Sequence, residues 1–202
     1  GSESFGTTQQ FKRDILTEIS ATLAFSAIQN NDKVGLLLFS NEIELFIPPK
    51  KGKTHVLRII RELIEFQPNS KKTDLTFALR YFSNVMKKKA IVFILSDFID
   101  TGYDNALKII GKKHDVTGIR VYDKLETELP KLGMVPMRDA ENDEIVLVNT
   151  NSKTVRNNYK ANYLKTVDYF EESFTKSGAG VINTRIDESY VKKLLGYFKR
   201  RA

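Results

Sequence analysis

Ala90-Ile-Val-Phe-Ile-Leu-Ser-Asp97 is the stretch on which the fold turns. Six apolar residues in succession, closed by a polar pair, have the length and composition of a strand covered on both faces. On its amino-terminal side, Leu75, Ala78, Leu79, Phe82, Val85 and Met86 repeat the three and four spacing of one helix face, with Thr73 placed to cap it. On its other side, Ala106, Leu107, Ile109 and Ile110 fit a short helix, and Val116–Val121 forms another covered strand. A chain that alternates strand and helix in this way is built as a parallel sheet between helix layers, which puts it in the α/β class.

The same alternation extends outward. Phe11, Ile15, Ile19, Leu23 and Ala27 mark a helix over residues 11–30, and Val34–Phe39 follows as a covered strand. Ile43, Leu45 and Ile47 alternate with partly polar positions and end at Pro48-Pro49, the pattern of an edge neighbour. Thr54 is placed to cap a helix carrying Val56, Leu57, Ile60, Leu63 and Ile64, which stops before Pro68. Beyond Asp123 the pattern changes: Met134–Met137 and Ile145–Val148, separated by the turn-rich Asp139–Asp143, read as a hairpin inserted at about 129–150. A long helix from Val155 to Phe174 stops near Gly178, Val181–Ile186 is the last strand, and Asp187 is placed to cap a final helix through Phe198. Residues 1–202 are thus expected to form a single domain.

Composition excludes more than it identifies. The chain of 202 residues is 41% apolar and 28% charged, as ordinary globular domains are. Its longest uncharged stretch, Ile19–Asn31, is too short to cross a bilayer, so no membrane segment is expected, and no signal peptide is read. With no cysteine, thiol catalysis and thiolate zinc sites are excluded, and a cytoplasmic location is the expectation. No Gly-rich phosphate loop, dinucleotide fingerprint or serine-nucleophile elbow occurs. His55 and His114 read as helix-end or surface residues. The net charge of +7 is spread over short clusters (Lys50, Lys51 and Lys53; Lys71 and Lys72; Lys87–Lys89; Lys112 and Lys113). Few aromatics interleave with them, which argues for solvated faces and against nucleic-acid binding.

In an open parallel sheet the ligand crevice lies at the strands' carboxyl ends. Ser2–Thr8 before the first helix, Thr73 and Asp74 before the third, and Ser96, Asp97 and Asp100 after the central strand all converge there. Hydroxyls and carboxylates are hard oxygen donors, suited to magnesium or manganese.

Asn31-Asp-Lys-Val-Gly-Leu-Leu-Leu-Phe39, Phe46-Ile-Pro-Pro-Lys-Lys-Gly52, Thr73-Asp74-Leu75 and Ile94-Leu-Ser-Asp-Phe98 together resemble the bacterial von Willebrand factor A-like proteins of a family of unknown function. Leu129-Pro130 and the hairpin after it extend the resemblance over nearly the whole chain. The resemblance implies a doubly wound, mostly parallel sheet with helices on both faces and a β-hairpin insertion. It also implies a metal ion-dependent adhesion site, in which an Asp-x-Ser-x-Ser loop, a Thr and a second Asp hold one divalent ion. Thr73 and Asp97 match that Thr and Asp, and Ser2 stands where the loop's last Ser falls. The leading Asp and the first strand would precede Gly1, so a magnesium or manganese ion should bind weakly or not at all here.

The implied function is a non-enzymatic protein-interaction module, with a MoxR-type AAA+ ATPase as the partner the resemblance suggests. A metal-assisted hydrolase is the alternative, and a basic nucleic-acid binder a third. The slot of the absent strand, between Val34–Phe39 and Ala90–Leu95, must be closed in one of three ways. These are direct pairing, a strand borrowed from another molecule, or Ser2–Thr8 folded back. Self-association through this slot is the expected outcome.

Overall fold

The computed structural model describes residues 2–70, 72–138 and 145–201, the side chains of residues 2–10 and of Arg138 excepted. The Asp139–Asp143 turn, Lys71 and the Ser2 hydroxyl lie outside what is described. The chain runs α1 (Ser2–Gln29), β1 (Val34–Phe39), β2 (Ile43–Lys50), α2 (Lys53–Glu65), α3 (Leu75–Val85), β3 (Ile91–Ser96), α4 (Asp104–Gly111) and β4 (Asp115–Tyr122). It continues with α5 (Lys124–Thr127), β5 (Met134–Arg138), β6 (Ile145–Asn149), α6 (Lys153–Lys176), β7 (Gly180–Arg185) and α7 (Tyr190–Lys199).

Three ladders result: a parallel sheet in the order β3-β4-β7, an antiparallel pair β1-β2, and the β5-β6 hairpin. Helices cover both faces of the parallel sheet. On one face, Ile15, Ile19 and Leu23 of α1 and Leu194 and Tyr197 of α7 pack on Ile119, Val121 and Ile182. On the other, Leu75 and Leu79 of α3, Leu107 of α4 and Phe170 and Phe174 of α6 pack on Ile94 and Val116. A third core lies under β1-β2, where Ile47 meets Ile59 and Leu63 of α2. Gly118 of β4 lets the α6 rings lie directly on the sheet, since a Cβ there would stand 2.5 Å from a Phe174 ring carbon.

Several sequence expectations are corrected. β4 is buried along nearly its whole length, but β1 and β3 are only half-buried. Each of those two pairs on one side only, so one edge and its flanks stay uncovered. Neither direct pairing of β1 with β3 nor an extended Ser2–Thr8 closes the slot, because that segment is the first two turns of α1. In α2 the buried face is Val56, Ile59 and Leu63, while Leu57 and Ile64 are exposed; the spacing from Val56 allowed either stripe.

The caps also differ. Gly52, with φ 107° and no side-chain bond, precedes α2 in place of Thr54. Asp74, not Thr73, caps α3 by accepting from the Phe77 amide at 2.8 Å. Ser189, not Asp187, caps α7, and Asp187 pairs with Arg185 instead. His114 lies buried between α4 and β4, with its Nδ1 accepting from the Ala90 amide at 3.2 Å.

Candidate functional site

The loop before α3 is sewn to both ladders by short polar contacts. The Asp74 amide donates to the Ser40 carbonyl at 3.0 Å, at the carboxyl end of β1. The Asn69 amide donates to Glu44 Oε1 at 3.0 Å, and Ser40 Oγ donates to the same oxygen at 2.7 Å. From the other side, the Leu75 amide donates to Asp100 Oδ2 at 2.8 Å, which fastens the loop to the turn after β3. Asp74 and Asp100 together satisfy amides in the first turn of α3, where negative charge is stabilised by the helix dipole. The exposed Thr73 therefore sits where the carboxyl ends of β1 and β3 meet.

Asp97 is positioned by the residue after it. Phe98 adopts φ 55°, a conformation few non-glycine residues hold without support. Its ring supplies that support: it is 1% exposed, stacked on Phe170 at 4.2 Å and edge-on to Phe174 at 5.2 Å. The aromatic cluster drives the backbone turn, and the turn leaves the Asp97 carboxylate 37% exposed at the strand end. Ser96 Oγ accepts from the Phe98 amide at 3.2 Å and stiffens the same turn.

The carboxylate has a cation of its own. Lys12 of α1, 14% exposed, places Nζ 3.3 Å from Asp97 Oδ2 and 2.8 Å from Glu126 Oε1 of α5. One ammonium thus clamps the post-β3 turn to the segment after β4. Such a pair is held more firmly than a surface bridge because the lysine is largely withdrawn from water.

Next to this cluster, Tyr103 is fully buried with an unpartnered hydroxyl. Burial first, then Tyr169, Asp100 and Asp104, push its ionisation well above the ordinary phenol range. It is a packing residue, not an acid.

The sequence-selected residues divide accordingly. Thr73 and Asp97 lie at the same end of the fold, joined through the Leu75–Asp100 contact, and among the described residues no hydrogen bond links them directly. Ser2 begins α1. The hard oxygen donors are of the type a magnesium or manganese ion takes. One carboxylate is already held by Lys12, and no group of three acidic or histidine side chains forms among the described residues. Lys12, Glu126 and the turn at Phe98 escape a reading of the sequence: a lysine on an amphipathic helix looks solvated, and no local motif announces a positive φ at phenylalanine. Of the lysine clusters, the described members are exposed except for Lys113, whose Nζ donates to the Met86 carbonyl at the end of α3.

The chain is similar in sequence and in fold to known proteins. Residues 1–168 match the family described as "Protein of unknown function DUF58". Uncharacterized proteins of Mycobacterium bovis and Mycobacterium tuberculosis are 26% identical over 140 residues, 68% of this chain and 44% of theirs. The chain thus spans less than half the length of those curated relatives. An uncharacterized protein of Mycobacterium avium is 22% identical over 162 residues, 77% of this chain and 93% of that protein. Among solved structures, an aerotolerance-related membrane protein from Bacteroides fragilis is 16% identical. It aligns with a TM-score of 0.50 over 89% of this chain and 85% of its own. The conserved hypothetical protein BatB from Bacteroides thetaiotaomicron gives 14% and 0.49, over 89% and 83%. Among the described residues no helix is long and apolar enough to cross a membrane.

Proposed function

The chain belongs to the DUF58 family, and on that premise we propose that it is a non-enzymatic protein-interaction module of von Willebrand factor A-like, doubly wound architecture. Its binding face is the cluster of loops around Thr73 and Asp97. One observation carries the reading: three loops from different elements are tied together at one sheet edge, with Asp97 held out by a buried aromatic turn. Ser96 Oγ stands 3.4 Å from Asp97 Oδ1, longer than the ~2.6–3.2 Å reach of a nucleophile held by its base. That is how a fold presents a recognition surface, through rigid elements supporting short loops. The exposed apolar residues Met134, Ile145 and Leu147 of the hairpin supply further surface of the kind that protein partners cover.

The partner proposed is a MoxR-type AAA+ ATPase. Magnesium or manganese held by Thr73, Asp97 and Ser2 belongs to the same reading. The binding proposed rests on the loops themselves, and the ion would add to it a coordination position for a partner's carboxylate. Lys12 sets the electrostatics of the face: when a partner's cation meets Asp97 it competes with an ammonium already in place.

Capture of the ATPase by the immobilised chain, in magnesium and in a chelator, with Thr73→Ala, Asp97→Ala and Lys12→Met, tests the reading. Capture should fall several-fold in Asp97→Ala and Thr73→Ala while the far-ultraviolet spectrum stays unchanged. Equal capture by all four proteins, or no capture by any, would overturn it.

A further inference from the structure

On the α6 side of the parallel sheet, Arg120 of β4 is 4% exposed although it carries a permanent charge. Its guanidinium lies 4.4 Å from the Tyr122 ring centroid and 5.2 Å from that of Tyr163. Nη1 donates to Asn183 Oδ1 at 3.0 Å and Nη2 donates to the Tyr163 hydroxyl. Among the described residues no carboxylate stands within ion-pair distance of it. Asn183 comes between, passing its own amide to Glu171 at 2.8 Å. A buried guanidinium whose partners are all neutral is an expensive arrangement unless something else meets its charge.

The group opens on a cavity of about 310 Å³, whose lining includes Tyr122, Tyr163, Leu164, Val167 and Lys160. That size is at the small end of ligand pockets. Two hydrogen bonds use two of the five N–H donors of the guanidinium, so three carry no hydrogen bond among the described residues. The Lys160 ammonium is engaged by Glu128 at 2.8 Å, which leaves Arg120 as the charge that faces inward. The carboxylate of Glu171, bonded by the neutral Asn183 amide, stands among the lining groups, where it would repel a second negative charge.

We infer that this cavity binds a small organic monocarboxylate, its carboxylate on the Arg120 fork and its apolar body against Tyr122, Tyr163, Leu164 and Val167. A planar, bidentate acceptor suits the fork, and the aromatic and aliphatic lining suits a ring or branched chain. Neither Thr73 nor Asp97 lines this cavity, so the inference stands apart from the interaction face.

The test is a nuclear magnetic resonance titration of the full chain, reading tyrosine ring and arginine Nε signals. The probes are phenylacetate, its neutral isostere phenylacetamide, and the dianion phenyl phosphate, each up to about 10 mM, the range of weak ligands. Phenylacetate should give saturable shifts at Tyr122, Tyr163 and Arg120, at least tenfold stronger in affinity than either comparison probe. Arg120→Gln should abolish them, and Glu171→Gln should let phenyl phosphate bind. The inference is overturned if phenylacetamide binds as well as phenylacetate, if no saturable shift appears, or if a folded Arg120→Gln binds unchanged. Should Arg120→Gln not fold, the acid and amide pair on the unsubstituted chain decides alone.

Discussion

Replacing Phe98 separates the two jobs that the residue performs. Its ring fills the space between Phe170, Phe174 and Tyr103, and its backbone holds φ 55°. Phe98→Ala removes the ring and keeps the strained φ; Phe98→Gly removes the ring and relieves it. Loss of a buried phenylalanine destabilises by about 3–5 kcal/mol, and this is common to both. The left-handed backbone then disfavours alanine by about 1–2 kcal/mol, against about 0.5–1 kcal/mol of extra chain entropy that glycine loses on folding. Taking the middle of each range, glycine should therefore be the milder substitution by about 0.75 kcal/mol, the reverse of the order in an ordinary strand or helix. For a chain of this length that difference corresponds to a Tm about 1.5–3 °C higher than that of the alanine variant. Urea unfolding followed by circular dichroism measures the same gap. An alanine variant as stable as the glycine variant, or more stable, would refute the claim that the turn presenting Asp97 is held against its own backbone preference.

Three further outcomes are expected. Gly118→Ala would place a methyl 2.5 Å from Phe174 and 2.8 Å from Phe170, too close without movement of packed rings, and should destabilise by about 1–3 kcal/mol in denaturant titration; an unchanged midpoint would show the rings to be free to shift. Burial, then the Lys113 charge, hold His114 below the ordinary imidazole value of 6.5, so the unfolded chain takes up a proton that the folded one refuses. Stability contributed by neutral His114 should be complete above that value and decline as pH falls below it, with a shallower decline in His114→Asn; equal slopes in the two proteins would refute the assignment. Finally, the open edges of β1 and β3 predict association, so light scattering should give a mass above 23.1 kDa that rises with concentration. A monomer at all concentrations, with slowly exchanging amides in both strands, would exclude it.

Much of the fold was legible because each helix carries its own period. Ile15, Ile19 and Leu23 face the sheet as their spacing required, and the long helix brings Phe170 and Phe174 inward. Pro48 and Pro49 correctly marked β2 as an edge, since proline cannot donate to a second neighbour. The caps were less legible. Thr73 and Asp74 are adjacent and both able to cap, and the choice between them rests on where α3's first turn meets Asp100, a contact 25 residues away. The same holds for Asp97. Its type and its place after an apolar run were visible, but its lysine partner lies 85 residues earlier, on a helix whose spacing records only which side is apolar.

Apolar content alone misjudged β1 and β3, and the reason is instructive. Val34–Phe39 and Ile91–Leu95 are more apolar than β4, yet only β4 has a neighbour on each side. Burial of a strand is set by its flanks as much as by its side chains, because adjacent strands cover the backbone edge and shoulder the residues beside it. The carboxyl ends of β1 and β3 both reach the loop before α3, through Ser40 and through Asp100, so the two strands run the same way. α1 touches both ladders, packing Ile15 and Ile19 on the parallel sheet and meeting α2 beside β1-β2. Each of these two apolar strands therefore keeps one edge whose hydrogen-bonding groups have no sheet partner among the described residues. The half-burial of both strands follows from that one-sided pairing.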